Sequence, residues 1–124
     1  MEGEADFTVE EVVENLGLAP LAEGVWGRRM DATQAADVAT GVYRLLTPQA
    51  AHDWRATEAE ELWIAYMGAP LEIEMASESG VRRETVNAGS GLWITVPPDS
   101  WIRTRAIGGW CLAGRIGGGL SDVA

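Results

Sequence analysis

The chain has 124 residues, a formal net charge of -10 and 47% apolar residues, which sets the scale of one domain with a radius of gyration of about 14 Å. That acidity excludes nucleic acid and anionic membrane surfaces as partners, because both require basic patches. No apolar run reaches the roughly 18 residues of a membrane span, and with all nine basic residues arginine there is no lysine amine for Schiff-base chemistry.

Met1 to Phe7, MEGEADF, is acidic where a secretory leader would be basic and then apolar. With a single cysteine, Cys111, no internal disulfide forms, and a cytoplasmic protein is expected. Six of the nine aromatic residues are tryptophan. An indole is rarely wholly buried and needs a partner for its N–H, so several should line a cavity or a subunit interface, and a homodimer is expected.

In chain order, residues 8–17 read as a helix. Thr8 and Glu11 have the spacing of a capping box and Phe7 can staple onto Val12. Val9, Val12, Val13 and Leu16 make one apolar stripe, and Gly17 stands where the chain turns off. The barrel is expected over residues 24–116. Leu18 to Met30 passes through Pro20 and Gly24 into a short strand bearing Trp26, Arg28 and Arg29, and 31–38 is a loop. Ala39–Leu46 and Ala50–Arg55 read as strands, the second followed by an acidic turn through Thr57 to Glu60. Glu61–Met67 and Leu71–Ala76 read as a hairpin about Gly68-Ala69-Pro70, and Val81–Asn87 and Leu92–Val96 follow. Trp101–Ala106 and Trp110–Ile116 close the chain as a last hairpin around Gly108-Gly109, with a mobile tail over 117–124.

Leu71, Ile73 and Met75 alternate with Glu72, Glu74 and Ala76, the period of a strand with one dry and one wet face. Over Glu61–Tyr66 both parities are apolar except for Glu61. A strand covered on both sides puts that carboxylate in a cavity or against a partner, because an uncompensated buried charge costs several kcal/mol. Nine short β segments divided by turn residues indicate an all-β sandwich or barrel in a single domain over 1–124.

Four stretches resemble the cupin superfamily, in its small DUF985 branch. Leu16 to Arg28 is similar to that branch's LGLxPHPEGGYFR, and Thr40 to Leu46 to its TaIYfLL. His52-Asp53-Trp54-Arg55 through Glu61, Trp63 and Gly68-Ala69-Pro70-Leu71 is similar to SxWHRxxxDExWhfhaGdPLel, and Val96 to Ile102 to VPaGvWq. The resemblance implies a small jelly-roll β-barrel with one N-terminal helix. A metal cupin holds its ion with HxH, a glutamate and a later histidine. At the aligned positions this chain has Arg55, Thr57, Glu61 and Ile102, so the implied site has no metal and no cofactor. Ala22-Glu23-Gly24-Val25 departs from PEGG and Gly117-Gly118-Gly119-Leu120 from the closing PGF, which alters a barrel mouth and transfers the branch's epimerase-like role poorly.

The expected function is a metal-independent enzyme of bacterial specialised metabolism acting on a mainly apolar small molecule, as an isomerase, epimerase, cyclase or lyase. Its candidate catalytic residues are Glu61 and His52 for proton transfer and Arg55 for holding negative charge. The candidate substrate-binding residues are Arg28, Glu23, Tyr43, Trp54, Trp63, Trp101 and Ile102. Three alternatives stay open: a non-catalytic sensor or carrier, an Arg55–Glu61 pair that is purely structural, and a structural dimer with a filled core and no pocket. Cys111 sits in an apolar strand and is expected to be inert.

Overall fold

The computed structural model describes residues 7–30 and 41–117. The loop expected over 31–38, the start of the strand expected from Ala39 and the tail 118–124 lie outside these residues. Helix α1 (Val9–Leu16) carries both halves of the capping box, Thr8 accepting from the Glu11 N–H and Glu11 accepting from the Thr8 N–H, and Gly17 ends it in the left-handed conformation.

The strands are β1 (Ala19–Ala22), β2 (Val25–Arg29), β3 (Gly41–Leu46), β4 (Arg55–Ala56), β5 (Glu61–Gly68), β6 (Leu71–Ser77), β7 (Gly80–Val86), β8 (Trp93–Val96), β9 (Trp101–Ala106) and β10 (Cys111–Gly117). They form two antiparallel sheets, one ordered β1-β2-β3-β10-β5-β8 and the other β4-β9-β6-β7. This is the all-β jelly roll with one helix. Among the described residues no helix is long and apolar enough to cross a membrane.

Three expectations are corrected. Neither Glu61–Met67 with Leu71–Ala76 nor Trp101–Ala106 with Trp110–Ile116 is a hairpin: β5 and β10 lie in the larger sheet, β6 and β9 in the smaller. The two crossovers brace each other, the Ala69 N–H donating to Trp110 O at 2.7 Å and the Ile107 N–H to Pro70 O at 2.9 Å. Ala50–Arg55 is not a strand, since pairing starts only at Arg55, opposite Ile102. Ala19–Ala22, with Pro20 inside it, is a strand because it lies at the sheet edge, where a missing N–H is tolerated.

The main core lies between the sheets and includes Leu46, Trp63, Leu71, Ile73, Ile94, Val96, Ile102 and Cys111. A second cluster under α1 joins Val12 to Leu18, Leu45 and Leu112. Burial pushes the Cys111 thiol up to about 12. Alternation on β6 is real, but its second face is not wet. Glu72 and Glu74 are only 4% and 5% exposed, because arginines from both neighbouring strands close over them.

Candidate functional site

Arg55 and Ile102 are register partners on β4 and β9, which places both side chains on the face toward β5. Glu61 opens β5 and shares its inward parity with Trp63 and Ala65. Arg55 Nη1 donates to Glu61 Oε2 and Nη2 to Oε1, both at 2.9 Å, and the Trp63 indole N–H donates to Oε1 at 3.0 Å. The Glu61 side chain is 0% exposed and that of Arg55 35%. Paired end-on hydrogen bonds to a carboxylate are among the strongest polar contacts in proteins. A buried carboxylate held by three donors is fixed in orientation.

Above this pair opens a cavity of ≈ 230 Å³. Its wall combines the apolar Leu46, Ala51, Trp54, Trp63 and Ile102 with the polar Arg44, Asp53, Arg55, Arg103 and Thr104. Volume on this scale holds about seven or eight waters, or one organic molecule of roughly ten non-hydrogen atoms. Arg44 went unnoticed in the sequence, although its parity with the inward Val42 and Leu46 was a usable signal.

His52 lies on the opposite face of the smaller sheet, its Nε2 3.7 Å from Glu74 Oε1. There Arg103 donates to Glu74 at 2.5 Å, Arg83 to Glu74 at 3.1 Å and Arg105 to Glu72 at 2.7 Å. These donors hold the Glu74 carboxyl below its usual range, Arg103 first and then Arg83. Burial, then Arg103 and Arg105, hold His52 below the ordinary imidazole value, against Glu74 and Glu72. One ligand atom from each of His52, Glu72 and Glu74 falls within 4.8 Å of the others. Three guanidinium groups already neutralise those carboxylates, so the arrangement does not suit a divalent cation.

The candidate residues therefore divide. Arg55, Glu61, Trp54, Trp63 and Ile102 gather around one cavity and its floor. His52 stands on the far side of the sheet from Glu61, so the two do not meet. Arg28 donates to Leu16 O at 2.6 Å, closing the end of α1, and lies over the Tyr43 ring at 5.2 Å. Both belong to the outer, helix-covered face of the larger sheet. Glu23 is exposed in the turn between β1 and β2. Trp101, one residue before the inward Ile102, points outward and is 54% exposed.

The positions aligned with a cupin's metal ligands do not fit an ion. Arg55 and Glu61 are joined in an ion pair, Ile102 has no donor atom, and Thr57 faces the 97–100 turn. Its hydroxyl donates to Pro97 O at 3.0 Å and accepts from the Ser100 N–H at 2.9 Å. A cation here would meet one carboxylate already bound by a guanidinium.

A family model described as "Cupin superfamily (DUF985)" matches residues 10–117. No curated protein matches the chain. Among solved structures, a protein of Shewanella oneidensis is 23% identical with a TM-score of 0.71, covering 92% of this chain and 80% of its own. A hypothetical protein from Leishmania major is 19% identical with a TM-score of 0.71, covering 90% and 81%. Hydroxypropylphosphonic acid epoxidase from S. wedmorenis is 8% identical with a TM-score of 0.63, covering 81% and 53%. At these identities the likeness is one of fold. With the family model spanning nearly the whole described barrel, the chain belongs to the cupin superfamily, in its DUF985 branch.

Proposed function

We propose that this cupin binds a small, mainly apolar organic molecule in the cavity beside Arg55, without a divalent metal. What supports the reading is one arrangement: indole and aliphatic walls closing on a guanidinium that Glu61 holds from beneath. The walls take the apolar body of the ligand, and the arginine supplies the fixed polar contact that sets its orientation. Glu61 acts as a positioning residue. It accepts three hydrogen bonds and is fully buried, which suits it to aiming Arg55 better than to taking a proton.

A catalytic reading has its own support in the same guanidinium. A cation held in place by a buried carboxylate stabilises negative charge that develops on a substrate oxygen, as an isomerisation, epimerisation, cyclisation or lyase reaction through an enolate requires. The fold is also one that hosts enzymes, hydroxypropylphosphonic acid epoxidase among them.

The test is a fragment screen with neutral and anionic molecules of roughly ten non-hydrogen atoms, the capacity of the cavity, read by quenching of tryptophan emission. Hits should be lost in Arg55→Met and in Trp63→Leu, and elemental analysis should find no stoichiometric divalent metal. Hits unaffected by both substitutions, or one metal ion per chain, would overturn the proposal. Mass spectrometry of the recovered ligand then separates carrier from enzyme, since a carrier returns it unaltered.

A further inference from the structure

Trp101 lies outside the cavity, on the outer surface of the smaller sheet. Its register partners are Ala56 on β4 and Ala76 on β6. With a small residue on each side, neither flank covers the indole, which accounts for its 54% exposure. Beside it runs an open groove of ≈ 600 Å³, lined by Ala76, Ser77, Glu78, Ser79, Asp99 and Trp101.

The polar rim of this groove has one sign. Glu78 and Asp99 are its charged members, and no arginine is among its lining residues. Of the nearby arginines, Arg103 is paired with Glu74, and Arg82, paired with Glu84, lines an adjoining pocket that shares Ala76, Ser77 and Ser79 with this groove. Asp99 has a φ of 61°, the one positive value among described residues other than glycine. Its N–H donates to Thr57 O at 3.1 Å, which anchors the turn that carries its carboxylate.

Elsewhere the chain places cations over aromatic rings: Arg103 over Trp54 at 4.5 Å and Arg28 over Tyr43 at 5.2 Å. Among the described residues no cation lies over Trp101. Indole is the strongest of the aromatic faces for a cation, and two carboxylates in a chain of net charge -10 set the local field in the same direction. We infer that the Trp101 groove is a binding site for an organic ammonium ion, with the cationic head over the indole and Glu78 and Asp99 as its counter-charges. Ser77 and Ser79, whose hydroxyls are hydrogen-bonded to each other at 3.0 Å, are uncharged members of the lining. This site is independent of the cavity at Arg55.

The test uses choline as probe and its neutral isostere, 3,3-dimethylbutan-1-ol, as control, with methyl glucoside as a second control. The indole N–H resonances of the labelled full chain are followed, Trp101 being assigned by its loss in Trp101→Leu. Choline should shift the Trp101 signal with a dissociation constant on the order of 10 mM, the scale of one exposed cation–π contact with two surface ion pairs. The double variant Glu78→Gln with Asp99→Asn keeps the ring, and asparagine tolerates a positive φ. It should weaken choline roughly three- to tenfold. Equal binding of the neutral isostere, preferential binding of the glucoside, no change in the double variant, or no shift at about 50 mM choline, well above the expected constant, would each overturn the inference.

Discussion

At the scale of single residues, the proposed site centres on one guanidinium. Arg55→Met leaves the Glu61 carboxylate buried with the Trp63 N–H as its remaining donor among the described residues, and should cost about 3 kcal/mol. Adding Glu61→Gln should return part of that, because the stranded charge is gone. Urea titration of both variants checks this, and a double variant no more stable than Arg55→Met would show that the pair is not what holds this end of the barrel. A second outcome concerns His52, which the fold holds below its ordinary value of 6.5. A group whose folded value is depressed in this way binds its proton more readily when unfolded, so stability is complete above pH 6.5 and declines as pH falls below it. His52→Gln should remove that slope, and identical pH–stability curves for the two proteins would refute it. How far such sites were legible depended on parity. Glu61, with apolar residues at alternate positions and no basic residue beside it on its strand, announced a buried charge. Glu72 and Glu74 read as a wet face because periodicity reports which residues share a side, not what covers it. The cover comes from Arg83, Arg103 and Arg105, 9 to 33 positions away in sequence.

At the scale of elements, the helix was the most readable because each of its signals is local: cap, stripe and terminating glycine all lie within ten residues. The strands were mostly placed correctly, and their partners were not. A turn such as Gly68-Ala69-Pro70 looks the same whether the chain doubles back within a sheet or crosses to the other one. Gly68 marks the crossover twice over, by a φ of 95° and by the closeness of the Trp110 carbonyl and ring to where a Cβ would stand. Gly68→Ala should therefore destabilise by about 2 kcal/mol or more, whereas Gly108→Ala, with a φ of 86° but open space around it, should cost only the backbone term. Thermal unfolding of both variants separates the two contributions, and equal losses would mean that crowding at Gly68 is relieved by movement of Trp110. Residues 50–55 misled because apolar Ala50, Ala51 and Trp54 suggested a strand, while the segment in fact leads His52 across the outer face of its neighbour to reach Glu74.

At the scale of the whole molecule, the larger sheet ends on β8, whose residues Trp93-Ile94-Thr95-Val96 carry no charge, and Leu92 and Trp93 are exposed there. Unprotected apolar edges of this kind are usually covered. In a chain of net charge -10, a charge-free strip is also where two copies can approach without repulsion. The expected homodimer should form there, and Trp93→Glu should convert it to a monomer by light scattering; a variant that stays dimeric would place the interface elsewhere. The family assignment reaches further than the metal chemistry associated with the fold, because Arg55 stands where an ion's ligand would be expected and is itself positively charged. An ion has to be acquired from the surroundings and can be lost to them. A guanidinium is delivered by the ribosome with the rest of the chain, so the charge balance between Arg55 and Glu61 is complete on folding.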